Sequence, residues 1–340
     1  EGEAAGVYEF SGVHSLLGGE GEDIFIFAND AAAVSTLIDG GEGAGANTLD
    51  LSAQGLINEW LLSGANGGSV SNASNTSGNV FTNISYLIGG AGQDVFDLQA
   101  GGSIAGAIDG GLGADELRVS VEQTSNWQLG GTGGHNVTGI ASFTNIEGLS
   151  GSAGADNFDI LAELTDVAQL NGGAGSDAVN FLYDAPVSVD LARNLAGELS
   201  VEGIEHFTAV NAESTLVGAD STTSWSITGA DQGSIRYLIE TDGDAINVAF
   251  DGFGNLVGGA GEDEFLFTQN GSVSGTLAGG GGRNLVDLQE LAGEVHVAAA
   301  PDIAIGSGLN RLPLMEIDQL IGNGQTWLYG ASDRSYTWTI

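Results

Sequence analysis

A glycine hexamer ending in a carboxylate recurs along the chain at a nearly constant step, and this constrains the fold more than any other feature. It reads GGEGED at Gly18 to Asp23, GGAGQD at Gly89 to Asp94, GGLGAD at Gly110 to Asp115, GGAGSD at Gly172 to Asp177 and GGAGED at Gly258 to Asp263. Weaker copies are GSAGAD from Gly151, GGGGRN from Gly279, GGEGAGAN from Gly40 and IGNGQT from Ile321. Starts at 18 and 40, 89 and 110, 151 and 172, and 258 and 279 give separations of 22, 21, 21 and 21 residues. Longer gaps fit multiples of the same step, which predicts about fifteen units of ~21 residues running through residues 1–340 as one continuous segment. The stretch from Leu49 to Val80 is too long for the step. Its polar tract Ser69 to Asn79 predicts a loop inserted into one coil, at about residues 64–80.

A larger period overlies the small one. FTNIS at Phe81, FTNIE at Phe143, and looser forms at Phe10 (FSGVH), Val201 (VEGIE) and Met315 (MEID) recur roughly every 50 to 70 residues, about three coils. Trp127, Trp225 and Trp338 open similar segments and predict stacked core or corner residues rather than a sugar-binding ladder, whereas Trp60 and Trp327 fall outside that register.

Within a unit the pattern alternates with period two. Runs such as Ile24-Phe-Ile-Phe, Val95-Phe-Asp-Leu and Glu264-Phe-Leu-Phe follow the glycine loops, so one face of each short strand points in and the other out. Glycine supplies 58 residues, a density at which helix is disfavoured by ~1 kcal/mol per residue relative to alanine. A single short apolar run cannot bury itself, but coils stacked like upon like make a continuous core. The expected fold is all-β: a parallel β-solenoid.

Charge narrows the partners. There are 45 acids against 6 bases, a net charge of −39 and no lysine, so the basic stripe that nucleic acid requires is missing and an anionic membrane surface would repel the chain. Hydrophobic residues still make up 42%, enough for a core. Without cysteine there is no disulfide or thiolate metal site, and no apolar run approaches the ~20 residues of a membrane-spanning helix. Beginning at Glu1 with no signal-like segment, the chain is expected to be part of a longer exported protein.

The hexamers resemble the glycine- and aspartate-rich repeat of the RTX (repeats-in-toxin, haemolysin-type) calcium-binding family. The resemblance implies a β-roll-like fold, an exported acidic bacterial protein at the cell surface or outside the cell, and Ca2+ held between stacked loops by aspartate carboxylates and backbone carbonyls. Carried onto this sequence, the ion would sit between Asp94 and Asp115 and between Asp156 and Asp177; Asp23 and Asp263 face Asn47 and Asn284, which are weaker ligands. The repeat of that family returns every nine residues on both edges of a coil, whereas here loops recur every ~21 on one edge. Read from the residues alone, the same aspartates can be turn residues that bond their own backbone, with no ion.

Catalysis finds no support. His14, His135, His206 and His296 lie 71 or more residues apart, and neither HExxH nor GxSxG occurs. Two function classes follow: a structural rod segment of a large bacterial adhesin or biofilm-matrix protein, whose partners would be calcium, surface polysaccharide or copies of itself; or a calcium-binding accessory or carbohydrate-binding module of an exported polysaccharide-active enzyme. The longer FTNIE and WxITG pattern is also similar to repeats of very large bacterial adhesins or haemagglutinins.

Overall fold

The computed structural model describes residues 12–43, 46–121, 124–238, 245–298 and 310–330. Phe10, Arg334 and Trp338, and Ala44 and Gly45 of the second glycine loop, lie outside the described residues. All 34 elements are strands, and no helix occurs among the described residues. The chain forms two compact units, one of residues 1–154 and 165–167, the other of residues 155–164 and 168–340.

In the first unit, strands alternate between two sheets. One runs Ser15–Leu17, Leu37–Asp39, Asn75–Thr82, Gly67–Asn72, Glu59–Gly64, Val95–Leu98, Glu116–Val119, Gly148–Ser150. The other runs Ile24–Ile26, Thr48–Asp50, Tyr86–Ile88, Ile104–Asp109, Ile140–Thr144, Gly134–Val137, Asn126–Gly131. Pairing is parallel except inside two three-stranded meanders, Glu59 to Thr82 on the first sheet and Asn126 to Thr144 on the second. The second unit follows the same rule. Its meanders run from Ser188 to Glu202 and from Thr223 to Asp251, one on each sheet.

The polar tract Ser69 to Asn79 is therefore not a loop: it contributes to two antiparallel strands, Gly67–Asn72 and Asn75–Thr82. Their serines lie on the outward face, while Val70 and Phe81 point in, 1% and 0% exposed, together with Asn79, which accepts the Val34 N–H. Polarity marked strand faces here, not irregular backbone.

Strands contribute one or two inward side chains to the core, and the register places like above like. In the first unit Trp60, Phe96, Leu117 and Leu149 form one column, and Leu49, Leu87, Ile108 and Phe143 another. In the second, Val189, Leu216, Leu256, Leu277 and Leu314 stack, as do Trp225, Phe265, Val286 and Leu320. Trp60 does not stand outside the tryptophan register. Like Trp127 and Trp225 it opens a meander, is buried, and meets the phenylalanine that closes that meander edge-on: Phe81, Phe143 and Phe250 at 6.0, 6.1 and 6.0 Å. Trp60 and Trp225 also lie flat on Phe96 and Phe265 at 5.3 and 5.2 Å. Trp327 is exposed.

The larger period has a backbone cause. A left-handed residue in the marker turns the chain from one sheet to the other at Asn83, Asn145, Gly203 and Glu316, with φ of 55°, 52°, 61° and 54°, and Gly12 of the first marker is left-handed too, with φ of 67°. Glycine and asparagine tolerate that region best, which explains the residue types at four of these five positions.

Because the columns carry the burial, Leu117→Ala, between Phe96 and Leu149, is expected to lower stability by about 3 kcal/mol in urea unfolding. Leu112→Ala, in an exposed loop of the same unit, is expected to cost less than ~0.5 kcal/mol. Equal costs would contradict the column description.

Candidate functional site

The hexamer aspartates are not on the surface. Asp94, Asp115, Asp156, Asp177 and Asp263 are 0–2% exposed, and Asn47 and Asn284 at the equivalent points of their loops are equally buried. Asp23, in the first described loop, is partly buried. These residues stand where each glycine loop enters its strand, so the residue's own N–H lies beyond the regular ladder and needs an acceptor.

The acceptor is the side chain one coil further on. The N–H of Asp94 donates to Asp115 Oδ1 at 2.6 Å, that of Asp156 to Asp177 Oδ1 at 2.7 Å, that of Asp23 to Asn47 Oδ1 at 2.9 Å, and that of Asp263 to Asn284 Oδ1 at 3.1 Å. The expected pairs are thus brought together, and as members of longer ladders. Asn58 gives both its N–H and its Nδ2 to Asp94 Oδ1, and Thr223 gives its hydroxyl to Asp263 Oδ1. At the other end the N–H groups of Asp115, Asp177 and Asn284 donate, each at 2.8 Å, to Glu147 Oε2, Glu205 Oε2 and Asp318 Oδ2.

Sequence reasoning missed the ladder ends. Glu147, Glu205 and Asp318 all follow the left-handed residue of the FTNIE-type marker by two positions, a signal visible once the marker and the hexamer are read as parts of one stack. Asn58 and Thr223 sit in coils that lack the glycine signature.

The two loops of a pair differ. In first loops the second glycine closes onto the aspartate: the N–H of Gly19, Gly90 and Gly259 donates to Oδ2 of Asp23, Asp94 and Asp263. In second loops Gly41, Gly111 and Gly173 are left-handed, with φ of 91°, 98° and 95°, and their N–H turns away to Asp39, Asp109 and Asn171. Asp39 is held below its ordinary range by Gly41 N–H and the Asn83 amide. Burial pushes the ladder carboxyls up: Asp94 is raised against the opposing bonds from Gly90 and Asn58, and Asp263 rises to about 6.

A calcium ion takes six to eight oxygens at roughly 2.3–2.6 Å. Both oxygens of Asp94 and both of Asp263 accept N–H or O–H donors, as in a hydrogen-bonded turn, whereas Oδ2 of Asp115 and of Asp177 is buried and receives no donor.

The histidines stand in separate surroundings. His14 contacts Ser35 and Thr36; His135 bonds Asp166 at 2.9 Å and accepts Gly130 N–H; His296 bonds the Tyr329 hydroxyl. No three histidine, aspartate or glutamate side chains converge as a metal-holding group among the described residues. Neither protein-family models nor curated proteins give a match to the chain.

Since an amide offers one acceptor oxygen where Asp94 uses two, Asp94→Asn is expected to set an NH2 group against an N–H donor and to cost about 1–3 kcal/mol by denaturant midpoint. A neutral or stabilising result would show that these bonds do not hold the loop.

Proposed function

We propose that the chain is a structural segment: stacked coils of a parallel β-solenoid within a large exported bacterial adhesin or matrix protein, acting as a spacer rather than as a catalyst. The observation that carries this reading is that each unit repeats one construction, a column of single apolar side chains flanked by a hydrogen-bonded ladder, without a coil set apart by a concentrated chemical site among the described residues. Trp60, Trp127 and Trp225 are consumed by the core, so these three offer no platform for the sugar stacking of the rival carbohydrate-binding reading. A net charge of −39 keeps such segments soluble and apart. An extracellular or cell-surface location, and copies of the protein or surface polysaccharide as partners, belong to the same proposal. So does the likeness of the hexamers to RTX repeats, with the difference that here the coils are held without relying on an ion.

Small-angle scattering tests the reading. A stack of coils is expected to give a radius of gyration well above the ~20 Å of a compact chain of this length, with a constant cross-section. A compact particle would overturn the spacer. Repeats of the same construction in the flanking sequence support the adhesin, whereas an adjoining catalytic domain would favour the accessory module.

A further inference from the structure

The second loops of the four pairs share one arrangement at the ladder residue. In each, Oδ1 of the ladder residue accepts an N–H from the coil before, at 2.6–3.1 Å. The other terminal atom is Nδ2 in Asn47 and Asn284. It donates to Gly40 O and Asn83 O at 2.8 and 3.0 Å in one, and to Gly281 O and Glu316 O at 2.9 and 3.1 Å in the other. Asn83 and Glu316 are the left-handed residues of the marker turn. In Asp115 and Asp177 the corresponding atom is Oδ2, which is buried and receives no N–H or O–H donor.

That oxygen and the equivalent carbonyl border the same glycine. A Cβ added to Gly40 would strike Asn83 O and come within 2.5 Å of Asn47 Nδ2; one on Gly110 would strike Asn145 O and come within 2.7 Å of Asp115 Oδ2. Gly172 stands in the same way between Gly203 O and Asp177 Oδ2, at 2.7 Å from the latter. Two bare oxygens facing each other in a buried loop repel, whereas a carboxylic acid can donate across the gap as an amide does. We propose that Asp115 and Asp177 are neutral carboxylic acids that donate their O–H to the carbonyls of Asn145 and Gly203, standing in for asparagine, and that these loops are proton sites rather than metal sites.

The surroundings agree. Asp115 is faced by Asp94 from the preceding coil, Glu147 from the following one and Asp109 at the end of its own coil's strand; Asp177 is faced by Asp156 and Glu205. All are acids. Burial first, and these neighbours after it, raise Asp115 to about 7 and Asp177 to about 6 from an ordinary 3.8, against the opposing N–H bonds of Asp94 and Asp156. A carboxyl raised in the folded state binds more protons there than in the unfolded chain. Its contribution is therefore complete below pH ~4 and is lost as pH rises through about 6 for Asp177 and about 7 for Asp115.

The test is Asp115→Asn with Asp177→Asn in the whole chain, melted beside the native protein at pH 5 and pH 8. Repulsion among the remaining acids is common to both proteins and cancels. Equal midpoints are expected at pH 5, and at pH 8 the variant is expected to melt roughly 5 °C or more above the native protein. A variant that is no more stable at pH 8 overturns the proposal. Side-chain carbon-13 NMR of the native protein gives an independent reading: the Asp115 and Asp177 carboxyls, assigned by their loss in the variant, are expected to titrate near pH 7 and 6, and ordinary acidic titration of both would also overturn it. Millimolar calcium is expected to do no more than sodium chloride of matched ionic strength. A calcium-specific rise in the native protein that the variant lacks would assign the position to a cation instead.

Discussion

A coil that carries the hexamer has to pass from a glycine loop into a strand of three to five residues, and the backbone N–H at that junction is buried without a place in the strand ladder. Leaving such a group unpaired costs about 1–3 kcal/mol, repeated at each such coil. The side chain of the next coil removes that cost: Asp115 for Asp94, Asp177 for Asp156, Asn47 for Asp23 and Asn284 for Asp263. The rest of the structure depends on this bond. It fixes the register of neighbouring coils, and the register sets Phe96 on Leu117 and Phe265 on Val286. The glycines then follow from proximity, since a side chain at Gly110 would fall on the Asn145 carbonyl.

Much of this was legible in the sequence. The hexamer spacing and the period-two runs lead to an all-β chain of parallel stacked strands, because no other arrangement buries so short an apolar run. The burial of Trp127 and Trp225 followed from their periodic placement. The meanders were harder to see. Gly67–Asn72 and Asn75–Thr82 are rich in serine and asparagine because their outward serines meet water while Asn72 and Asn79 bond within the molecule, and polarity of that kind is shared by loops and by strands. Trp60 looks out of register in the sequence for the same reason, since the meander it opens reads there as an insertion.

The hexamer aspartates show where sequence stops being sufficient. One residue type at one motif position does two different things, depending on the φ of the second glycine. Beside Gly90 the carboxylate receives an N–H on each oxygen; beside Gly111, at φ 98°, the glycine N–H points elsewhere and one oxygen is left facing a carbonyl. Only the asparagines of the sister loops hint at the second role, since their Nδ2 occupies the place of that oxygen.

Native-state amide hydrogen exchange measures the central claim most directly. If the ladder bonds hold the coils together, the N–H groups of Asp94, Asp115, Asp156, Asp177 and Asp263 should exchange as slowly as those of the core strands, despite lying at the ends of glycine loops. Exchange as fast as at Gln93, in the exposed part of such a loop, would contradict the account.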